Sequence, residues 1–304
     1  MKLFSFLVYY LIVIPFSSLP YRILYIISDV MFLLLYYVIG YRKKVVYRNL
    51  SKSFPTHSRR EHIRIAKQFY RQFCDTIIEG IKGLTISKED IEKRMYNRNP
   101  ELLEKYFNQG KSVIITTGHY YSWEWWFLGI DTPLKHKVVL IYKQLSNQYF
   151  EKKLQKIRSS FGVLPLPFQQ VKDFFENHEN GSYGYIFGSD QAPHNAGKAY
   201  WMWFLNQETP VAFGAEKFAV EKDIPVVFCK INKIRRGFYE FEYTEVSAEP
   251  TKTSYGEITA AYTKMLEETI INDPVGWLWT HKRWKREKPE GMELHGEPYL
   301  PNLD

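Results

Sequence analysis

The first forty residues carry an almost uninterrupted apolar pattern, unlike the rest of the chain. Two apolar runs, Leu3 to Leu19 and Ile23 to Gly40, are separated by a short polar break, and the charged side chains here are Lys2, Arg22 and Asp29. Each run lies near the lower end of the roughly 17 to 25 residues that cross a bilayer as a helix. The pattern therefore predicts a membrane anchor and basic turn over residues 1–45, as one helix or as a re-entrant helical hairpin.

Two other interpretations of this segment stay open. Pro15 and Pro20 weaken the prediction of two full spans. The Arg22/Asp29 pair weakens it further, and a hairpin buried in a protein core is the alternative. A signal peptide would also place Lys2 before an apolar stretch, but no small-x-small cleavage site follows. Because the second apolar run would remain after cleavage, we favour an uncleaved anchor.

A basic cluster follows the apolar segment directly. It consists of Arg42, Lys43, Lys44 and Arg48. The positive-inside bias then places residues 41 onward in the cytoplasm, at the inner membrane. Each basic side chain near an anionic lipid surface contributes about 1 kcal/mol to attraction. We expect these four residues to contact the membrane, with a merely solvated basic helix face as the alternative.

The pattern after the basic cluster changes from helical to mixed. Ser58 and Glu61 form a capping box ahead of a helix that ends near Gly80 or Gly83. The apolar stripe of this helix is Ile63, Ala66, Tyr70, Phe73 and Ile77. From residue 112, short apolar runs alternate with helical segments, which predicts a mixed, mostly parallel α/β sheet flanked by helices. Because no linker-like stretch interrupts residues 46–304, we expect a single domain of catalytic size there.

The predicted elements of this domain are as follows. Strands are expected at Ser112 to Thr116, Lys137 to Tyr142, Gly184 to Gly188, Ile224 to Ile231 and Phe238 to Tyr243. Helices are expected over 147–161, from Thr209-Pro210 with proline at the first helical position, and along Ile258, Tyr262, Met265 and Thr269. The aromatic run Tyr200 to Phe204 predicts either the wall of an apolar groove or a buried strand.

Composition and charge narrow the class of protein. With 304 residues, 45% hydrophobic and 17% aromatic, the chain can bury a sizeable core, so general disorder is excluded. Two cysteines, Cys74 and Cys229, are too few for a disulfide framework and indicate a reducing compartment.

The net charge of +8 would ordinarily raise the question of a nucleic-acid partner. Residues 41–72 hold ten basic side chains and one acidic one, however, so the rest of the chain is close to neutral. No nucleic-acid-binding module is present. The position of the charge, beside an apolar anchor, indicates an anionic membrane surface and no nucleic acid.

The clearest chemical feature is His119 followed five residues later by Glu124, directly after a predicted strand. On a continuous helix the two would lie about 140° apart, so they can meet only if the chain turns between them. Gly118 supplies the backbone freedom and Ser122 can cap a helix that begins at Trp123. Glu124 would then hold one ring nitrogen while the other accepts a proton from a hydroxyl. The alternative is a loop histidine and a solvent-facing glutamate.

Other chemistries lack their motifs. There is no G-x-S-x-G elbow, no H-E-x-x-H, no Walker phosphate loop and no G-x-G-x-x-G. The histidines lack metal-ligand spacing, so we assign no metal and no cofactor. A serine nucleophile at Ser122 has no supporting motif, and a base acting on the hydroxyl of the substrate fits better.

Five blocks of the sequence, in order over nearly the whole chain, together resemble the bacterial late (secondary) acyltransferases of lipid A biosynthesis, within the glycerolipid acyltransferase superfamily. The matching blocks are Tyr41-Arg42-Lys43-Lys44-Val45 with Asn49-Leu50 and Ser53-Phe54-Pro55; Gly118-His119 with Trp123-Glu124; Tyr142, Asn147, Arg158 and Gly162; Asp190-Gln191; and Trp279, His281, Arg283, Trp284 and Lys285. The departures are Tyr121-Ser122 in place of Gly-Asn, Lys143 in place of Arg, and Phe204-Leu205-Asn206 in place of Phe-Phe-Gly.

The resemblance implies transfer of a fatty acyl chain from acyl carrier protein, or from acyl-CoA, to a hydroxyl of a membrane lipid, in the first place lipid A or its precursor. His119 would be the base and Glu124 its orienting partner. Arg158 would bind the oxyanion or an acceptor phosphate, and Asp190, Gln191 and Lys143 would contact substrate.

Several alternatives stay open under this resemblance. Arg158 can be a surface charge instead, and Asp190-Gln191 a structural turn. The aromatic C-terminal cluster around Trp277, Trp279 and Trp284 is interpreted as a packed lid. Another glycolipid, an aminolipid or a pigment is an alternative acceptor, and a non-catalytic lipid-binding protein is the alternative from another class.

Overall fold

The computed structural model of the chain describes residues 2–130, 134–177 and 181–299. The helices are α1 (Lys2–Val8), α2 (Ile14–Ser18), α3 (Tyr21–Leu33), α4 (Lys43–Ser53), α5 (Arg59–Lys82), α6 (Lys88–Arg94), α7 (Glu101–Asn108), α8 (Trp123–Gly129), α9 (Gln148–Ser160), α10 (Val171–Asn177), α11 (Gly214–Lys222) and α12 (Glu257–Asn272). Two π-helical segments, Tyr9–Val13 and Leu34–Ile39, continue α1 into α2 and extend α3.

Seven of the nine strands form one sheet, in the order β1-β9-β8-β2-β5-β3-β4. The strands are β1 (Met95–Asn97), β2 (Val113–Thr117), β3 (Lys137–Tyr142), β4 (Leu164–Pro167), β5 (Tyr183–Gly188), β6 (Tyr200–Phe204), β7 (Gln207–Val211), β8 (Val226–Arg235) and β9 (Phe238–Ser247). The β8/β9 pair is antiparallel and the other pairs in this sheet are parallel. The predicted mixed, mostly parallel sheet flanked by helices is confirmed.

Burial explains why the hydrophobic pattern located these strands. Every residue of β2 is buried, as expected of a central parallel strand covered on both faces. The first residues of β9 alternate between half-buried and buried, as its sequence pattern does. The length and period of an apolar run therefore indicate whether a strand is covered on both faces or on one face.

The predicted helix at Thr209-Pro210 is wrong. Pro210 lies in β7 and pairs with Trp201 of β6 in a separate two-stranded antiparallel ribbon. The following helix, α11, begins only at Gly214. In a two-stranded ribbon each strand has a free edge, where the missing N–H of proline leaves no ladder bond unmade. The signal for a helix start was therefore overridden by the pairing of β7 with β6 across a two-residue turn.

Helix α5 connects the N-terminal hairpin to the sheet. The predicted capping box is present: the Ser58 side chain accepts from the Glu61 N–H, and the Glu61 side chain accepts from the Ser58 N–H. The buried stripe is wider than predicted and shifted: Ala66, Tyr70, Ile65, Phe69 and Ile78 are buried, whereas the predicted Ile63, Phe73 and Ile77 are half-buried. This width follows from packing on two sides, because α5 contacts both α3 and α8.

The N-terminal segment forms two helical arms joined near Pro20, together called the N-terminal hairpin. The arm Tyr21–Ile39 is long and apolar enough to cross a membrane, by length and composition only, and the arm Leu3–Ser18 is shorter. The second arm contributes Phe32 and Tyr36 to the same hydrophobic core as the sheet.

Candidate functional site

The carboxyl ends of β2 and β5 form a crevice at the centre of the sheet. These strands are neighbours, with Thr117 paired to Gly188 at their ends. The chain leaving β2 passes β5 to reach β3, and the chain leaving β5 passes β2 to reach β8, so the two connections diverge. Such a switch point is where open α/β sheets bind their ligands. His119 follows β2 and Asp190 follows β5, so both lie at this crevice.

Asp190 holds His119 through two hydrogen bonds. Its Oδ1 lies 2.6 Å from His119 Nδ1, and its Oδ2 accepts the His119 backbone N–H at 2.8 Å. Trp277 donates its indole N–H to the same Oδ2 at 2.9 Å. The Asp190 carboxylate is almost fully buried, whereas a quarter of the His119 side chain is exposed. The ring is therefore fixed from the protein side and open on the other.

Because Nδ1 faces a carboxylate, His119 carries its proton there, and Nε2 is left with a free lone pair. The Gln191 side-chain amide lies 3.0 Å from Nε2, where its N–H₂ can donate. Gly188 leaves room for the ring, since a Cβ at that position would lie 3.2 Å from His119 Cε1. Nε2 is thus presented to the crevice as a hydrogen-bond acceptor.

The electrostatics of the pair favour an imidazolium. Burial by itself would lower the pKa of His119, but the charge and hydrogen bond of Asp190 more than offset it, and the Glu124 charge adds a smaller upward effect. The pKa of His119 therefore lies above its ordinary value of 6.5. Burial opposes ionisation of Asp190 too, but His119 and the converging donors hold its pKa below the usual range.

Glu124 does not hold the ring nitrogen as predicted from the spacing. Its carboxylate accepts two hydrogen bonds from Arg158 Nη2, at 2.9 and 3.3 Å, and Asp190 takes the place beside His119 Nδ1. Arg158 is almost fully buried, so its charge needs this partner. Glu124 acts on His119 through its charge, not through contact.

The turn between His119 and Glu124 is present but built differently than expected. Tyr121, not Gly118, takes the left-handed conformation, with φ of 48°. Its backbone is held by the Gly276 carbonyl and by the Thr76 hydroxyl, each near 3 Å. Helix α8 begins at Trp123 as predicted, although the Ser122 side chain does not cap it. Family members with glycine at position 121 would adopt this conformation without strain.

The Arg158 guanidinium has donor atoms that its contact with Glu124 does not use. Among the described residues, its Nε and Nη1 find no hydrogen-bond acceptor. The guanidinium lies 5.2 Å from the centre of the Tyr142 ring, at the end of β3. Lys143, the next residue, is exposed in the loop before α9. The structure thus brings Arg158 beside Glu124 near the crevice and leaves Lys143 at the surface.

Residues from the C-terminal segment complete the site, and sequence reasoning did not assign them there. Arg283 is buried and donates to the Pro210 carbonyl at 2.7 Å. It lines, with Asp190, a small cavity of about 10 Å³, close to the space that one water molecule needs. His281 Nε2 accepts from the Ala192 N–H at 3.1 Å. The family-like tail motif was the only signal that marked Arg283 and His281, and Trp277 had been interpreted as part of a lid.

The predicted membrane-contact residues lie at the surface beside the hairpin. Arg42, Lys44 and Arg48 are exposed, and Lys43 is half-buried over the Tyr36 ring. Asn49, on the opposite face of α4, donates to the carbonyls of Trp279 and His281. Helix α4 therefore presents basic side chains outward while it ties the C-terminal segment in place.

The aromatic strand β6 is mostly buried. Trp201 is 1% exposed, whereas Trp203 is half-buried. Both line an open groove of about 670 Å³ with Trp284 and Lys52. The buried-strand interpretation accounts for most of β6. The groove beside it offers a surface to an apolar chain or to a ligand that binds basic side chains.

The arrangement can perform general base catalysis. A histidine with a fixed tautomer, an ionised carboxylate behind it and an accessible Nε2 can take a proton from a hydroxyl. Because the Asp190 carboxylate lies behind the His119 ring, it stabilises the imidazolium as it forms.

Comparison with known families agrees with this site. A family model described as bacterial lipid A biosynthesis acyltransferase matches residues 2–286, a span that contains all the site residues above. No curated protein matches the chain significantly. The resemblance drawn from the sequence motifs is confirmed, and the chain belongs to the bacterial lipid A biosynthesis acyltransferase family.

Proposed function

We propose that the protein transfers a fatty acyl chain from acyl carrier protein, or from acyl-CoA, to a hydroxyl of lipid A or its precursor. The acyl chain arrives as a thioester and leaves as an ester. The single observation that carries this proposal is the His119–Asp190 pair, at 2.6 Å, with Nε2 open to the crevice of a family member.

The reaction uses His119 first as base and then as acid. The acceptor hydroxyl takes the place of the Gln191 amide beside Nε2 and gives its proton to that nitrogen. The hydroxyl oxygen bonds to the thioester carbonyl carbon, and the carbonyl becomes an oxyanion. When the oxyanion collapses, the C–S bond breaks and the departing thiolate takes the proton from His119. The enzyme returns to its starting protonation state.

Asp190 stays ionised throughout and stabilises the imidazolium that forms between the two steps. It also keeps the proton of the resting ring on Nδ1, so that Nε2 remains the base. Both effects rest on the buried carboxylate and its three donors. We assign to Asp190 the orienting role that the spacing alone had suggested for Glu124.

Glu124 and Arg158 form the electrostatic side of the site. The Arg158 Nε and Nη1 donors are buried and lack an acceptor among the described residues, so we assign them to the oxyanion or to a phosphate of the acceptor when substrate is bound. In the resting enzyme Glu124 neutralises the charge of Arg158 and fixes the orientation of its guanidinium group. The Gln191 amide occupies the position beside Nε2 that the acceptor oxygen would take. The exposed Lys143 would contact a negatively charged part of either substrate.

We also propose the cellular arrangement. Residues 46–304 act as one catalytic domain, and residues 1–45 hold it at the cytoplasmic face of the inner membrane. Arg42, Lys44 and Arg48 support this, because they are exposed where they can meet anionic headgroups.

The test uses purified full-length protein, an acyl thioester and a lipid A precursor. His119→Ala is expected to lower turnover by about 10²–10⁴, the usual worth of a general base. His62→Ala, on α5, is the matched control and keeps turnover. Thermal melting verifies that both variants are folded. Near-normal turnover by folded His119→Ala protein would sink the mechanism.

The acceptor is tested in cells. Mass spectrometry of lipids from a strain that lacks the gene is expected to show lipid A short of one acyl chain, restored by the wild-type gene but not by His119→Ala. Unchanged lipid A together with another under-acylated lipid would reject lipid A as the acceptor while keeping the chemistry.

A further inference from the structure

The outer surface of the N-terminal hairpin is apolar along its whole length. Of the 23 large hydrophobic side chains exposed in the described residues, 16 lie within the first 41 positions. On the second arm the exposed hydrophobic residues include Ile23, Ile26, Val30, Leu33 and Tyr37, and we call these five the outer face; Leu34, Val38 and Ile39 near the end of the arm are exposed as well. The buried ones are Leu24, Ser28, Phe32 and Tyr36, the docked face. Each set recurs at helical spacing, so the two faces lie on separate sides of the helix.

The docked face is bound to the body of the protein by polar contacts in its middle. Ser28 donates to Asp75 at 2.6 Å, and Tyr25 donates to Glu79 at 2.9 Å. Arg236, in the turn between β8 and β9, bridges Asp29 and Asp75 with contacts of 2.8 and 2.6 Å. The charged residue of the apolar run thus has its partner in the body.

Both ends of the same arm are tied to the body as well. Near its start, Lys82 donates to the Leu19 carbonyl and Tyr21 donates to Asp90. Near its end, the hydroxyls of Tyr36 and Tyr47 lie 2.8 Å apart. Because contacts occur at the start, middle and end, the arm lies flat along α5 over its full length.

This arrangement is incompatible with a helix that crosses the bilayer. If the arm spanned the hydrocarbon core, α5 beside it would have to enter the core too. Asp75, Glu79 and Arg236 would go with it, and ionised groups at that depth are strongly disfavoured. The helix axis must therefore run along the membrane surface, with the outer face toward lipid.

The first arm follows the same rule. Its inward residues, Ser5 and Tyr9, are buried, whereas Leu3, Phe4 and Leu11 are exposed. Asn147, the residue that caps α9, donates to Ser5 at 3.2 Å. The helix that carries Arg158 therefore starts beside the hairpin.

Basic side chains line the border of the apolar surface. The Lys67 ammonium lies 5.6 Å from the centre of the Tyr37 ring, and Arg71 lies 5.0 Å from that of Phe32. Arg42 and Lys44 are exposed just beyond the second arm. An apolar face edged by cations matches the interface of an anionic leaflet, with acyl chains below and phosphates at the rim.

We propose that residues 2–39 form an in-plane hairpin that enters one leaflet of an anionic bilayer and does not span it. The proposal rests on the membrane location given under the proposed function and adds its geometry. It sets the catalytic body against the leaflet surface, so a lipid acceptor need not leave the membrane far to reach the crevice.

Depth measurements on the full-length protein test this geometry. Single cysteines replace Ile23, Val30 and Tyr37 of the outer face, carry an environment-sensitive fluorophore, and are read in vesicles of phosphatidylcholine and phosphatidylglycerol. Lipids with a quencher at a shallow or a deep acyl position report depth. The native Cys74 and Cys229 are buried and do not compete for the label. Ser254→Cys, exposed on the body, is the matched control.

An in-plane helix gives the same ratio of shallow to deep quenching at all three positions, within about two-fold, and no quenching at position 254. The sites span about 21 Å along the axis, so a crossing helix would quench deeply at position 30 and shallowly at 23 and 37. That graded result overturns the proposal. Absence of quenching at every site also overturns it, and a concentration-dependent dimer would then assign the face to a second copy. None of these readouts uses acyl transfer, so the proposed reaction stands or falls separately.

Discussion

Replacing Asp190 by asparagine is the sharpest probe of the site. Three donors converge on two carboxylate oxygens: His119 Nδ1–H, the His119 backbone N–H and the Trp277 indole N–H. Asparagine offers one oxygen and one N–H₂ group in the same space. Either one donor loses its acceptor, or the His119 ring moves its proton to Nε2 and accepts from the amide. In the second case the base is lost from the nitrogen that faces the crevice.

The size of the effect follows from the contacts that are removed. A charge-assisted hydrogen bond contributes about 1.5–3 kcal/mol, and a buried donor left without an acceptor costs about 1–3 kcal/mol. Together they amount to about 2.5–6 kcal/mol in the transition state. At about 1.4 kcal/mol per tenfold change in rate, kcat/KM should fall by about 10²–10⁴.

The pH profile distinguishes Asp190 from Glu124. His119 must be neutral to act as base, so activity falls as the pH drops through its raised pKa. Asp190→Asn removes the main upward influences on that pKa, so the acidic limb moves to lower pH. Glu124→Gln removes only the smaller, through-space contribution, so it moves the limb less. It also leaves the Arg158 charge unpaired, and its main effect should be a lower rate.

The assay is kcat/KM for acyl transfer from about pH 5 to about pH 9, a range that brackets the ordinary histidine pKa. Both variants are compared at equal folded fraction, verified by thermal melting. A larger shift for Glu124→Gln than for Asp190→Asn would refute the assignment, because it would mean that Glu124 is the contacting partner of His119. So would residual activity above a tenth of wild type in Asp190→Asn.

Three further substitutions test neighbouring features. Gly188→Ala places a methyl 3.2 Å from His119 Cε1, so kcat should fall about 3- to 10-fold with unchanged melting temperature. An unchanged kcat would show that the His119 ring can shift without loss of activity. Burial lowers the pKa of His281 to about 4, and its neutral Nε2 accepts from Ala192. Its contribution to stability is therefore complete above pH 6.5 and lost as the pH falls toward 4; His281→Gln should flatten that fall in melting temperature, and an equal fall in both proteins would contradict it. Tyr121→Gly relieves about 1–2 kcal/mol of left-handed strain but removes a buried ring worth about 3–5 kcal/mol, so urea unfolding should show a net loss of about 1–4 kcal/mol.

The sequence predicted the sheet well because its central strands are buried. The run before His119 and the run before Tyr142 are continuous and apolar, and both proved to be strands with nearly the expected bounds. Pro210 misled because proline is common both at the first helical turn and at a free strand edge. Only its pairing with Trp201, nine positions earlier across the β6/β7 turn, distinguishes the two.

The site was predictable as a set of residues but not as a network. The motif spacing located His119 and Glu124, and Asp190 was a candidate without a defined role. Its contact with His119 joins residues 71 positions apart and exists because β2 and β5 are neighbours in the sheet. Strand order is decided by crossover connections, which leave no mark in a local pattern. For the same reason the indole of Trp277 could not be placed behind Asp190.

Asp29 shows how an ionisable residue inside an apolar helix can be interpreted. In the sequence it counted only as a reason to doubt a membrane span. In the structure it lies next to Ser28 of the docked face and meets Arg236, 207 positions later. The outer face of the same helix is free of charge from Ile23 to Tyr37. The charge is therefore evidence about which side of the helix faces protein. A hairpin that spanned the bilayer as an independent anchor would not bring Asp29 to Arg236 on the body of the protein. A hairpin docked along that body does.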